Sequence, residues 1–273
     1  MPIPNGWTAS AVDITCRFES SGDLFEAVEG DFDKMGISCG CLQWNIGQGS
    51  LQPMVQNVGK AEVQARMPTL GADMWAACAS SIAQGLKIVR GWQKANSAGT
   101  PKLLPVPKAE LKALMGGSAM RAEQQRKIDA VADQAMTMAT NWAKDRDNTA
   151  PDKRLFCWMF DVATQNGSLE GQTPKKVSDF IAKNKPDKVD DLVCDYLASF
   201  TGPSGHVKDA HKNAALWRNN AGGEKLELLC LSYLRAQTAS SKWRHVVVNR
   251  KGSIAMGGGW VNSGHRSFAS HGL

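Results

Sequence analysis

The sequence predicts a mainly helical α+β protein, and three observations carry that reading. Apolar residues recur at three- and four-residue spacing through most of the 273 positions. One short stretch, residues 35–46, breaks that pattern, with Ile37, Cys39, Cys41, Leu42 and Trp44 interleaved with glycines. Hydrophobic residues make up 42% of the chain, enough for a packed core, which excludes global disorder.

Thr8 reads as the N-cap of a helix over about 9–20, with Val12, Cys16 and Glu19 on one face and Phe18 as an apolar anchor. Ser20-Ser21-Gly22 ends it. Residues 23–34 are acidic and loop-like, and 35–46 read as a short hairpin. A helix begins near Gly49-Ser50, with Pro53 in its first turn and Leu51, Met54 and Val55 on one side. Met74, Trp75, Cys78, Ile82, Leu86 and Val89 predict one long helix over 72–95. Three prolines and Ser-Ala-Gly-Thr make 96–107 a linker. Helices follow near 118–144, 152–166, 176–183, 188–200, 223–238 and 241–250, and residues 252–260 form a glycine-rich turn or hairpin. No internal repeat stands out. The expected organisation is a single domain over 1–273. Its small hairpin lobe covers about 20–60 and its larger helical lobe about 70–250, with a cleft for a polymer between them.

The net charge of +6 suits a polyanionic target: nucleic acid, anionic membrane or bacterial cell wall. No run of five Lys/Arg, zinc finger, RNA-binding aromatic signature or basic coiled coil occurs, so no nucleic-acid partner is predicted. No run of eighteen apolar residues exists, so no membrane span is predicted. Met1 to Trp7 has neither the basic region nor the apolar core of a signal peptide, which predicts synthesis in the cytoplasm without that route of export. Seven cysteines lie mostly in apolar helical patterns, and Cys39 and Cys41 share one side of a strand. They read as small packed residues rather than a disulfide framework or metal site. The five histidines lack metal-binding spacing, and no phosphate loop, dinucleotide fingerprint or Gly-x-Ser-x-Gly elbow is present. Neither metal nor cofactor is predicted.

Glu19 is the first candidate for chemistry. A carboxylate at a helix C-terminus faces the negative end of the dipole, and Phe18 and Val12 can desolvate it. Both effects raise its pKa, as a proton donor at neutral pH requires. A solvated glutamate at a fraying helix end is the plainer alternative. Gln43, Trp44 and Asn45 are candidate sugar binders, two amides and one flat indole, although Trp44 fits a core position equally well. Asp161 and Gln165 lie four apart on one helical face, with Arg154 two turns upstream. They either line the far wall of a cleft or form a hydrogen-bonded surface pair. Arg244, Arg250 and Lys251 read first as a solvated basic face, and second as partners for acidic groups of a substrate.

Glu19-Ser20-Ser21-Gly22, Gly36 and the run Gly40-Cys41-Leu42-Gln43-Trp44 resemble the lysozyme-like superfamily, whose lytic transglycosylases carry a Glu-Ser pair followed by Gly-Leu-Met-Gln. The longer run from Gly36 to Pro53 is similar to phage and type VI secretion effector peptidoglycan hydrolases. There Gly-Leu-Ser-Phe-Gly-Ala-Leu-Gln-Trp-Asn-Leu-Gly-Gln-Gly-Thr-Leu-Gln-Pro is typical. Leu155 to Val162, Gln165 to Ser168, and Trp243-Arg244 through Arg250-Lys251 resemble further stretches of that group. Cys39 and Cys41 stand where the family has an aromatic residue or alanine.

The resemblance implies a lysozyme-like, two-lobed fold with a small hairpin beside the catalytic helix. It implies a muramidase cleaving the β-1,4 bond between N-acetylmuramic acid and N-acetylglucosamine, with Glu19 as general acid. Candidates for a second carboxylate are Asp23, Glu26, Glu29, Asp31 and Asp33. Asp33 leads: it precedes Gly36 by three residues, as in the chitosanase branch, and Gly30-Asp31-Phe32-Asp33 is similar to the phage hydrolases' Gly-Asn-Phe-Asp. Glu29 and then Glu26 follow. An inverting enzyme needs its carboxyls about 6.5–9.5 Å apart. Alternatives are a lytic transglycosylase, a chitosanase, or a non-catalytic wall-binding module. The implied partners are peptidoglycan glycan strands, an immunity protein and a larger effector or phage protein containing this chain. The implied place of action is the cell wall or periplasm, after export or injection.

Overall fold

The structure is a computed structural model that describes residues 1–18, 23–97, 99–185 and 187–273. Glu19, the expected acid, therefore lies outside the described residues, as do Ser20, Ser21 and Gly22. The chain divides into two compact units, Met1–Phe18 with Val131–Leu273, and Glu19–Ala130. Both are mainly helical, with short antiparallel sheets. No helix among the described residues is long and apolar enough to cross a membrane.

The first helix, α1, spans Trp7–Arg17. Its N-cap is Gly6 in a left-handed conformation, not Thr8, and no side chain caps it. Three short strands follow: β1 (Val28–Glu29), β2 (Ser38–Cys39) and β3 (Trp44–Asn45). They form an antiparallel sheet in the order β1-β2-β3, with Cys39 opposite both Val28 and Trp44. The hairpin expected over 35–46 is thus joined by a strand from the segment read as loop. Helices α2 (Gln52–Val58) and α3 (Lys60–Arg66) meet at Gly59.

The single helix expected over 72–95 is two, α4 (Gly71–Ala79) and α5 (Ile82–Arg90). Ser81 breaks the run: its extended backbone and hydroxyl, which accepts from the Gln84 N–H, start a new helix. The expected linker is also structured. Strands β4 (Gln93–Ala95) and β5 (Pro101–Leu103) pair, and α6 (Pro105–Gly116) starts on a proline at its first position.

The long helix α7 (Ser118–Asp147) leads on to α8 (Lys153–Gln165), capped by Asp152. Then come α9 (Pro174–Lys183), α10 (Val189–Ala198), α11 (Gly205–Trp217), α12 (Glu224–Gln237) and α13 (Arg244–Met256). Strands β6 (Gly258–Val261) and β7 (Gly264–Ser267) close the chain as a hairpin. Helices α3, α6 and α11 have no counterpart among the helices the sequence predicts.

In the first unit α1 packs on α8, and α13 packs against α8, α11, α12 and β6. Every residue of α13 from Val247 to Ala255 is buried, although four of them carry polar or charged side chains. Each finds partners. Asn249 donates to the His206 carbonyl and accepts from Asn213, and the Ser253 hydroxyl donates to the Asn249 carbonyl. Arg250 and Lys251 both bond Asp161. Gly252 lets the helix approach closely, since a Cβ there would stand 2.7 Å from the Trp217 ring. The solvated basic face expected at Arg250 and Lys251 is therefore corrected to an interior one. A charge can be buried only against an opposite charge, and Asp161 supplies it from a distant segment.

Candidate functional site

The described part of the candidate site begins at Phe18, the residue covalently joined to Glu19. Phe18 is buried, with its ring edge-on to Phe268 at 5.9 Å between centroids. The Arg250 guanidinium lies 5.0 Å from the centre of the same ring. The Asn262 side-chain amide, at the tip of the β6–β7 hairpin, donates to the Phe18 carbonyl. The C-terminal end of α1 is thus held by a ring, a cation and a hydrogen bond.

Behind this anchor sits a buried charge cluster. Asp161 has no solvent exposure. One of its oxygens accepts from Arg250 Nε at 2.7 Å and the other from Lys251 Nζ at 2.8 Å. The Thr15 hydroxyl of α1 reaches it at 3.4 Å. Gln165, one turn along α8, accepts from Lys251 at 3.2 Å. Burial alone would raise the Asp161 pKa, but Arg250 and Lys251 outweigh it and hold the carboxyl below its usual range. Burial pushes the Lys251 ammonium down to about 8; Asp161 works against that, and the nearby Arg250 charge adds to it. The structure thus unites Asp161 and Gln165 on one helical face, as their spacing predicted. It corrects the picture of a cleft wall or surface pair at Asp161, whose carboxylate is wholly interior.

In the second unit the acidic segment sorts into two groups. Arg121 bonds Asp23 at 2.7 Å and Glu26 at 3.0 Å. The Arg121 hydrogen bond holds the Asp23 carboxyl below its usual pKa. Asp31 accepts from the Gly36 N–H and from Arg90, both at 2.7 Å. Gln93 completes this clamp, accepting from the Asp31 N–H and donating to the Gly36 carbonyl. Glu29 and Asp33 differ: both are exposed, and neither forms an ion pair among the described residues. The Asp33 carboxylate makes a local turn, accepting from the Met35 N–H at 3.0 Å.

The Gln43-Trp44-Asn45 run is mostly interior. Trp44 is 8% exposed and Asn45 5%. Asn45 organises the loop after β3: its oxygen accepts from the Gln48 N–H at 2.8 Å, and its amide donates to the Gln48 side chain. Gln43 sits at φ 55 in the β2–β3 turn, half-buried, with its amide donating to the Gly40 carbonyl. Of the three, Gln43 alone keeps a polar side chain near the surface.

Among the described residues no group of three or more His, Cys, Asp or Glu is arranged to hold a metal ion. Neither a protein-family model, nor a curated protein, nor a solved structure matches the chain.

Proposed function

We propose that this protein is a peptidoglycan glycosidase, a muramidase with Glu19 as general acid. The carrying observation is the anchoring of Phe18. A general acid must be presented in a fixed position, and the residue before Glu19 is held by Phe268, Arg250 and Asn262. In the sequence Glu19 follows Arg17, the last residue of α1, by two positions. The resemblance of the Gly36–Pro53 run to peptidoglycan hydrolases supports the same reading.

In the proposed reaction Glu19 gives its proton to the glycosidic oxygen as the bond from that oxygen to the anomeric carbon breaks. Water bonds the anomeric carbon and its proton passes to a second carboxylate. Asp33 is the first choice and Glu29 the second, because Asp23, Glu26 and Asp31 are committed to arginines. The substrate lies outside the cytoplasm, so this role requires delivery to the wall, and an immunity partner would protect the producer.

The test is clearing of purified peptidoglycan. Glu19→Gln should lose roughly 10²–10⁴ in rate while still binding the wall. Undiminished clearing by that variant removes Glu19 from the mechanism. No clearing by the unaltered protein favours a wall-binding module. Mass spectrometry separates a hydrolase, whose products gain a water, from a transglycosylase, whose anhydro products do not.

A further inference from the structure

Between α11, the start of α12 and the β6–β7 hairpin, all within one unit, lies a cavity of about 400 Å³. Leu216, Trp217 and Met256 give it an apolar wall, and Lys225, His265 and Ser267 give it polar groups. Leu216 is 41% exposed, so the apolar wall opens to solvent. The Trp217 indole N–H donates to the Gly258 carbonyl at 3.0 Å, which fixes the floor. Beside the cavity His265 pairs across the hairpin with Trp260, the two rings 5.4 Å apart. Lys212, one helical turn before Leu216, places its ammonium 3.6 Å from the centre of the Trp260 ring. Among the described residues no acidic side chain lines the cavity.

An open pocket of this size, with apolar side chains on one side and Lys225 on the other, suits an anion with a small apolar body. Peptidoglycan carries that chemistry on its peptide arms, which combine carboxylates with methyl groups. We infer that this cavity is a second subsite, binding the carboxylate-bearing stem peptide of a wall strand; the inference rests on the glycosidase reading above. The basic residues that sequence offered for such carboxylates are engaged internally. Arg244 donates to the carbonyls of Gln237 and Ala239, while Arg250 and Lys251 hold Asp161. Lys225 and His265 take the role instead, brought together from α12 and β7.

The experiment is titration of the full chain with muramyl dipeptide, with its neutral amide and with inorganic phosphate, by calorimetry and amide NMR. Muramyl dipeptide should shift the backbone signals of Gly257, Gly258 and Ser267. It should bind about tenfold more tightly than the amide, the difference one charge-assisted hydrogen bond makes. Lys225→Met should remove most of that difference, and Leu216→Trp, which fills the cavity, should abolish binding. Equal affinity for acid and amide, shifts confined to other residues, or equally tight binding of phosphate would each overturn the inference. Binding is read without turnover. A chain that binds muramyl dipeptide but clears no wall loses the enzymatic reading alone, and one that clears wall but ignores the dipeptide loses only this subsite.

Discussion

Asp161 shows how much one side chain can organise. It joins α8 to α13 through Arg250 and Lys251 and touches α1 through Thr15. Asp161→Asn keeps the shape but leaves two buried cations without their carboxylate, a change that costs about 3–5 kcal/mol. Denaturant melts at pH 7 should show that loss. The deficit should shrink by pH 9.5, because Lys251, already lowered to about 8 with its carboxylate present, can shed its proton in the variant. A deficit that is equal at both pH values would show that Lys251 is not the ion left stranded. At this scale sequence was a partial guide. The spacing of Asp161 and Gln165 put them on one face, but nothing local to Arg250 or Lys251 marks them as interior.

Elements followed the sequence where local chemistry decides. Pro53 sits in the first turn of α2, and α8, α9, α10 and α12 lie within two residues of their expected bounds. The misreadings came from apolar spacing that runs on through a break, as at Ser80-Ser81, and from prolines read as linker that instead open α6. The β2–β3 turn depends on a single glycine. Gly40 has φ 73, and a Cβ there would lie 2.5 Å from the Gln124 side chain and 2.8 Å from the Trp44 ring. Gly40→Ala should therefore cost about 1–3 kcal/mol and loosen the sheet that carries Glu29. Thermal melts measure the loss, and faster amide exchange at Ser38 and Asn45 would place it in this sheet.

At the scale of the whole molecule the cysteines set the alkaline limit. All seven are buried and none forms a disulfide. Burial pushes the thiols of Cys78, Cys157, Cys194 and Cys230 up to about 12, and raises Cys39 as well. An unfolded thiol ionises near 9.0. The folded state therefore holds protons that the unfolded chain releases. The stabilisation is full below pH 9 and is lost as pH climbs toward 12. Lys251 acts oppositely, since its folded pKa of about 8 lies below the ordinary 10.5, so its contribution improves between those values. Five thiols outweigh one ammonium, and the melting temperature should fall from pH 9 upward. A flat or rising profile would mean that these thiols are not interior in solution.

The sequence by itself determined the mainly helical class, the bounds of several helices and the short β segment around Cys39. Those properties live within a few residues, where backbone geometry and periodicity act. Only the tertiary structure decided which charges are interior, which acids of the 23–33 segment arginines neutralise, and where a cationic cavity opens. Asp161 meets Arg250 and Lys251 across 89 and 90 residues of chain. The desolvation that governs such a pairing depends on what folding brings alongside, a quantity that no local pattern encodes.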